Sequence, residues 1–310
     1  MGALDGRVVV ITGAGRGVGR EHALLMGAEG AKVLVNDLGA ANDGSGEDQT
    51  PAQEVAAEIR ARGGTAEANG DDVSDWEATQ RMLNHAISTW GDLHAVVNNA
   101  GILRDRMLVN MTEAEFDAVV TVHQKGTWLM MRHAAAYWRE QTKAGANVKA
   151  AIVNTSSTSG LHSNPGQINY DGAKSAIATM SIVAARELER YGVRVNCIAP
   201  SARTRLTMAT PGLGERIAEP EDGSFDRWDP AHIAPLVAWL CTEDCPITAQ
   251  VYGVGGDRIT VYRQWSPVAE AISPDGWTID TIAAQTEGWP TDHTDTRAVL
   301  SLDPSQIPES

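Results

Sequence analysis

The chain has 310 residues, of which 43% are hydrophobic and 21% charged, and a formal net charge of −15. That length suits one α/β domain with insertions, large enough to fold without covalent staples. The charge argues against nucleic acid or an anionic membrane as main partner, and disfavours a strongly acidic carrier protein.

The N-terminus, Met-Gly-Ala-Leu-Asp-Gly, runs straight into an apolar strand, so no secretory leader is expected. Short β-branched runs at 7–12, 31–37, 65–72, 94–98, 149–156, 194–199 and 250–254 predict strands. Helical patterns fill the gaps at 18–29, 51–61, 75–90, 113–142, 168–191 and 230–241. This alternation predicts an α/β fold: a doubly wound parallel sheet with helices on both faces. The Gly- and Asp-rich stretch 39–49 reads as a surface loop after the second strand. From Asp257 onward the chain leaves the sheet pattern. The expected organisation is therefore a single domain over 1–256 with a C-terminal extension over 257–310. Trp265, Trp277 and Trp289 in that extension predict that part of it packs on the body or on a neighbouring subunit. No apolar run approaches the ~18 residues of a membrane helix.

The first strand ends in TGAGRGVG, residues 12–19, and a helix follows. Gly13, Gly15, Gly17 and Gly19 allow a sharp turn and close backbone approach to a pyrophosphate. Arg16 and Val18 lie within the same loop, and the helix N-terminus favours the anion. A plain tight turn is the bland alternative. Asp37 closes the second strand, where a carboxylate accepts bonds from the adenosine ribose and repels a 2′-phosphate. A cap or loop carboxylate is its structural alternative, and Arg16 could itself reach a 2′-phosphate. Weighed together, these residues predict NAD as cofactor. Asp72 and Val73 end the third strand, where they could meet the adenine. Asn99, Ala100 and Gly101, in NNAG, either wall the cofactor or satisfy buried backbone groups.

Tyr170 and Lys174 are four apart in a helical pattern and share a face. Ser157 follows the fifth strand, at the carboxyl edge where doubly wound sheets bind ligands. Hydride transfer to a ketone creates an alkoxide that needs a proton. A tyrosine normally titrates near 10, and a nearby ammonium is expected to lower that value. Ser157 can donate to the substrate oxygen. These three are the candidate catalytic residues for an alcohol–ketone oxidoreductase acting on a small molecule.

TGAGRGVG, NNAG, Ser157, YDGAK and the strand end 196–200 together resemble the short-chain dehydrogenase/reductase superfamily over about residues 5–255. The resemblance implies a Rossmann-type sheet, tyrosine as acid/base, lysine on the nicotinamide ribose and serine on the substrate oxygen. His123 stands where the superfamily usually has a catalytic asparagine. It reads either as a water-holding or proton-relaying group or as a hydrogen-bonded structural residue. Pro200 and Thr204 fall where the superfamily contacts the cofactor, although Ser201 replaces the usual glycine.

His123, NDLG, NNAGILRDR, the long loop after the second strand and APLVAWLC at 234–241 are similar to a narrower group. That group is the (3R)-hydroxyacyl-CoA dehydrogenase unit of peroxisomal multifunctional enzyme type 2, also called 17β-hydroxysteroid dehydrogenase type 4. It implies acyl-CoA or steroid-like substrates. The segment 203–226 reads as a lid over the substrate. His162 reads as either a substrate-facing or an exposed loop residue. By analogy with the superfamily, a homodimer or homotetramer is expected. Cys197, Cys241 and Cys245 read as free structural thiols of a cytoplasmic protein, with no metal site expected. The competing readings are an NADPH-dependent 3-oxoacyl-carrier-protein reductase, a non-catalytic dinucleotide sensor and a sugar-nucleotide epimerase.

Overall fold

A computed structural model describes residues 2–48, 50–208, 217–264, 267, 269–274, 276–285 and 288–289. Eight strands form one sheet: β1 (Val8–Thr12), β2 (Lys32–Asn36), β3 (Thr65–Asn69), β4 (Ala95–Asn98), β5 (Ala150–Thr155), β6 (Val193–Pro200), β7 (Val251–Gly255) and β8 (Arg258–Tyr262). Their order is β3-β2-β1-β4-β5-β6-β7-β8. The six pairings from β3 to β7 are parallel. The chain winds outward in one direction from β1 and in the other from β4. Their carboxyl ends therefore diverge at the crevice where such sheets bind ligands.

The strands are apolar on both sides because both faces are covered. Val9, Ile11, Val33, Val35, Val97 and Val153 face one core, packed by α1 (Gly17–Ala28), α2 (Thr50–Ala61) and α9 (Ala234–Leu240). Val8, Val10, Leu34, Val96 and Ile152 face the other, packed by α3 (Trp76–Trp90), α5 (Gly126–Lys143) and α7 (Ile168–Leu188). Each fully buried Val, Leu or Ile side chain contributes about 1.5–3 kcal/mol relative to exposure. Trp138 of α5 is 1% exposed, and its indole N–H donates to the Leu93 carbonyl at 2.7 Å.

Two expectations need correction. The helix expected over 113–142 is broken: α4 (Glu113–Val120) runs into a π-helical turn (Thr121–Lys125) before α5 begins. The start was well marked, because Thr112 and Glu115 form a reciprocal cap. The sheet also does not stop at residue 256. A tight turn at Gly256 and Asp257 leads into β8, and so short a connection makes β8 antiparallel to β7. Ile259 and Val261 of this edge strand are 59% and 55% exposed, so it lacks the buried pattern that marks the others.

One compact unit covers residues 1–261 and a second covers 262–310. The second contains α10 (Ile279–Gln285), beside the partly exposed Trp277 and Trp289. Trp265 lies outside the described residues, as does the lid stretch 209–216. Among the described residues, no helix is long and apolar enough to cross a membrane.

Candidate active site

The glycine loop turns as its sequence requires. Gly13 and Gly17 have φ of 63° and 53°, the left-handed region that glycine enters without strain. A Cβ on Gly19 would stand 2.1 Å from the Gly13 carbonyl oxygen, and one on Gly13 2.7 Å from the Ala100 Cα. Arg16 starts α1 without a side-chain cap, leaving first-turn N–H groups free for an anion. Asn99 Nδ2 donates to the carbonyls of Thr12 (3.2 Å) and Gly13 (3.0 Å). The Thr12 hydroxyl accepts from the N–H groups of Asn99 (3.1 Å) and Ala100 (3.2 Å). NNAG thus ties the ends of β1 and β4 together, and Thr12 is a part of the site that the sequence reasoning missed. Its place at the end of β1 was the available signal.

At the end of β2, Asp37 accepts from the Gly15 N–H (2.8 Å) and the Gly39 N–H (2.7 Å). Arg16 and Arg205 lie close enough to act electrostatically on one another. Burial first, then Arg16, lowers the pKa of Arg205, while Asp37 opposes the shift. Arg205 belongs to the short α8 (Arg205–Met208), and its carbonyl accepts from Asn42 Nδ2 at 3.2 Å. Asp72 accepts from the Ser74 N–H and hydroxyl, both at 2.8 Å, while Val73 is buried against Gly126. Thr204 stands beside Gly17, and Pro200 closes β6. These residues fit a dinucleotide: an uncapped helix start, glycines at close approach and a carboxylate at the β2 end.

Ser157, Tyr170 and Lys174 converge past the carboxyl end of β5. Ser157 caps the short α6 (Thr158–His162), its Oγ accepting from the Ser159 N–H at 3.2 Å, and it lies near enough to the Tyr170 hydroxyl to act on its pKa. Lys174 is 3% exposed. Its Nζ donates to the Thr155 carbonyl at 2.7 Å and lies 5.5 Å from the Tyr170 ring centroid. Burial lowers the lysine to about 8, so it stays mostly charged at neutral pH. Tyr170 is raised to about 12: burial dominates, Ser157 opposes it, and Asp171 and Asp105 add to the rise. The expected lowering of the tyrosine pKa by Lys174 is therefore not found in this fold. The ammonium is turned to a backbone carbonyl, and desolvation of the phenolate outweighs it.

His123 sits on the π turn and is 1% exposed. Its ring lies edge-on to Tyr170, with centroids 5.1 Å apart, and presses against Gly101. Nε2 faces both the N–H (3.0 Å) and the carbonyl (2.8 Å) of Ile102, and the tautomer decides which bond forms. Nδ1 is buried without a partner. Burial, then the charge of Lys174, lowers His123 to about 3, so it is neutral at physiological pH. His162 is partly buried on α6, and burial lowers it too. Across the segment 203–226, Arg203 forms an ion pair with Asp226, with Nη1 to Oδ1 at 3.1 Å. All three cysteines are free and buried.

Comparison with known proteins decides the family, because the short chain dehydrogenase profile matches residues 7–212. The chain belongs to the short-chain dehydrogenase family. As a short-chain dehydrogenase it is an oxidoreductase, of a family that generally binds a nicotinamide dinucleotide. It is similar to hydroxyacyl-CoA dehydrogenase ChsB1 of Mycobacterium tuberculosis, at 41% identity over 83% of this chain and 80% of that protein. It is also similar to mouse peroxisomal multifunctional enzyme type 2, at 38% identity over 86% of this chain but only 34% of that longer enzyme. A crystal structure of a short chain dehydrogenase from Mycobacterium avium matches with a TM-score of 0.81 at 44% identity. That match covers 92% of this chain and 96% of the other. The expected sheet and the narrower resemblance are both borne out.

Proposed function

We propose that this short-chain dehydrogenase uses NAD to interconvert a secondary alcohol and its ketone, with a 3-hydroxyacyl-CoA or a hydroxysteroid as substrate. The observation that carries the reading is the convergence of Ser157, Tyr170 and Lys174 beside the glycine loop. The bound nicotinamide supplies or accepts the hydride. Tyr170 exchanges the proton at its hydroxyl oxygen. With the hydroxyl held at about 12 in the free protein, it is protonated and ready as the acid for ketone reduction. For alcohol oxidation it must ionise against the burial that raises it, a cost that Lys174, held by the Thr155 carbonyl, does not offset in the free protein. Ser157 orients the substrate oxygen towards the tyrosine. His123 remains neutral, and its unpartnered Nδ1 is the atom through which it can hold a water.

Asp37 supports NAD, since a 2′-phosphate placed beside it would be repelled. Arg16 and Arg205 nearby favour the second reading, an NADPH-linked reductase. The similarity to a hydroxyacyl-CoA dehydrogenase supports the CoA ester over the other alcohols. Phe116, Trp128 and Val183, each 44–47% exposed on α4, α5 and α7, support pairing of two copies through these helices. The free cysteines are in keeping with the cytoplasm.

The test measures reduced-nicotinamide formation with NAD or NADP against a 3-hydroxyacyl-CoA, a 17β-hydroxysteroid and a simple secondary alcohol. Turnover with NAD and the CoA ester is expected. A preference for NADP would shift the assignment to the reductase. Tyr170→Phe is expected to keep NAD binding and to lose about 10²–10⁴-fold in turnover. Near-normal turnover in that variant would sink the mechanism.

A further inference from the structure

A segment remote in sequence touches the glycine loop. The chain leaves β6 at Pro200 and enters α8 at Arg205. Between them, Thr204 Cγ2 stands 3.5 Å from the place that a Cβ on Gly17 would take. Gly17 begins α1, whose first turn has no side-chain cap and is open to an anion. Whatever holds Thr204 in place therefore shapes the border of that anion site.

The bonds within this segment close on themselves. The Thr204 N–H donates to Thr207 Oγ1 at 2.7 Å, the Thr207 N–H to the Thr204 hydroxyl at 3.3 Å, and Thr207 Oγ1 lies 3.0 Å from the Ala202 carbonyl oxygen. They give the turn its shape without tying it to the body. The ties come from two distant segments. On one side, Asn42 Nδ2 donates to the Arg205 carbonyl at 3.2 Å, while the Asn42 carbonyl accepts from the Leu103 N–H at 2.9 Å. On the other, the Arg203 N–H donates to the Trp228 carbonyl at 2.6 Å. Arg203 Nη1 donates to the Ile217 carbonyl at 3.0 Å and to Asp226 Oδ1 at 3.1 Å, and Nη2 donates to Asp226 Oδ2.

The two ties differ in kind. That of Asn42 is a single neutral bond at an exposed position. Arg203 and Asp226 meet as a two-bond fork, with side chains only 20% and 18% exposed. Charge-assisted forks are roughly twice as strong per bond as neutral contacts, and they fix direction as well as distance. Asp226 is itself held, since Oδ1 accepts from the Trp228 N–H at 3.1 Å and its carbonyl faces His232 Nε2 at 3.0 Å. Glu219, 3.9 Å from Arg203 with an 80% exposed side chain, is a weak competitor. One planar peptide joins Arg203 to Thr204, so fixing the first restricts where the second can lie.

We propose that Arg203 and Asp226 are a pair of positioning residues for the dinucleotide: their ion pair keeps Thr204 against the glycine loop, and the grip on the nucleotide depends on it. The proposal rests on the glycine loop binding a nicotinamide dinucleotide. It needs no assumption about the alcohol.

The test is calorimetric titration of the full chain with NAD and with NADP, in Arg203→Met, Asp226→Asn and the double variant. Thermal melts of the free variants come first, and binding is measured well below the transition. A pair that only stabilised the fold would leave affinity there unmoved. Each single variant is expected to bind the preferred nucleotide about 10-fold more weakly. The double variant is expected to lose about the same 10-fold, because the second change breaks nothing further. Losses that multiply to about 100-fold would overturn the pairing. Unmoved affinity in both single variants would overturn the positioning role alone. Failure of the unmodified chain to bind either nucleotide would overturn the dinucleotide reading and the pair's role with it. Asp226→Asn keeps the side chain's shape, so it decides the matter where Arg203→Met does not fold.

Discussion

Asp37 makes two bonds to backbone N–H groups, one on the glycine loop and one on its own turn, and each oxygen retains acceptor capacity. It shapes the loop and, in the proposed function, faces the adenosine end. Asp37→Ala leaves the Gly15 and Gly39 donors unpaired, so NAD should bind about 10-fold or more weakly. Discrimination against NADP should relax in the same variant. Titration of both nucleotides checks this, and unchanged discrimination would reassign cofactor choice to Arg16 and Arg205. Residues whose chemistry needs a fixed type at a fixed place were readable without coordinates: the glycines, Asp37, Ser157, Tyr170 and Lys174. The bonds of Gln167 to Asp105 and of the Asn164 N–H to Asp171 were not. They depend on burial and on contacts between separate segments, and neither leaves a local signature.

Among the elements, β1, β4 and the glycine loop meet at one hydrogen-bonded junction built on Thr12 and Asn99. Asn99→Ala removes donors from two strand-end carbonyls and should destabilise the chain by about 1–3 kcal/mol. Thermal or denaturant unfolding reads this, and Asn99→Asp should not restore stability because it supplies no donor. A near-silent Asn99→Ala would mean that water replaces the side chain. The core strands and the six long helical patterns were legible because period-2 and period-3.6 repeats survive in sequence. The π turn at 121–125 was not. One inserted residue keeps a helix apolar on its inner face while re-aiming His123 at Gly101 and Ile102. β8 was missed although Ile259, Thr260, Val261 and Tyr262 are β-branched or aromatic strand formers, and their exposure marks it as a sheet edge.

At the scale of the whole molecule, burial sets the response to pH. His22 on α1 is 0% exposed, neither ring nitrogen has a partner, and burial lowers it to about 3. His123 is lowered similarly. Unfolded histidines titrate near 6.5, so between that value and about 3 the unfolded chain binds more protons. Stability supplied by neutral His22 and His123 is therefore complete above 6.5 and is lost as pH falls. Asp171 works with the opposite sign: its raised value favours the fold at low pH and withdraws that support as pH rises towards 6. His22→Leu should gain more in melting temperature at about pH 5 than at about pH 7.5. An equal change at both pH values would show that His22 is not the group being protonated.

The ion pair of Arg203 and Asp226 joins residues 23 positions apart in sequence. A stretch of chain fixed at both ends can change its length at small cost, since doubling such a loop adds only about 0.6 kcal/mol of closure entropy. Length changes on this span that spare Thr204, Arg205 and the buried Ile217 would leave the sheet, the tyrosine and the glycine loop in register. The clip therefore separates two evolutionary clocks. The catalytic frame can stay constant while the span between Arg203 and Asp226 is rewritten, and with it, if that span serves as the expected lid, the size of molecule admitted.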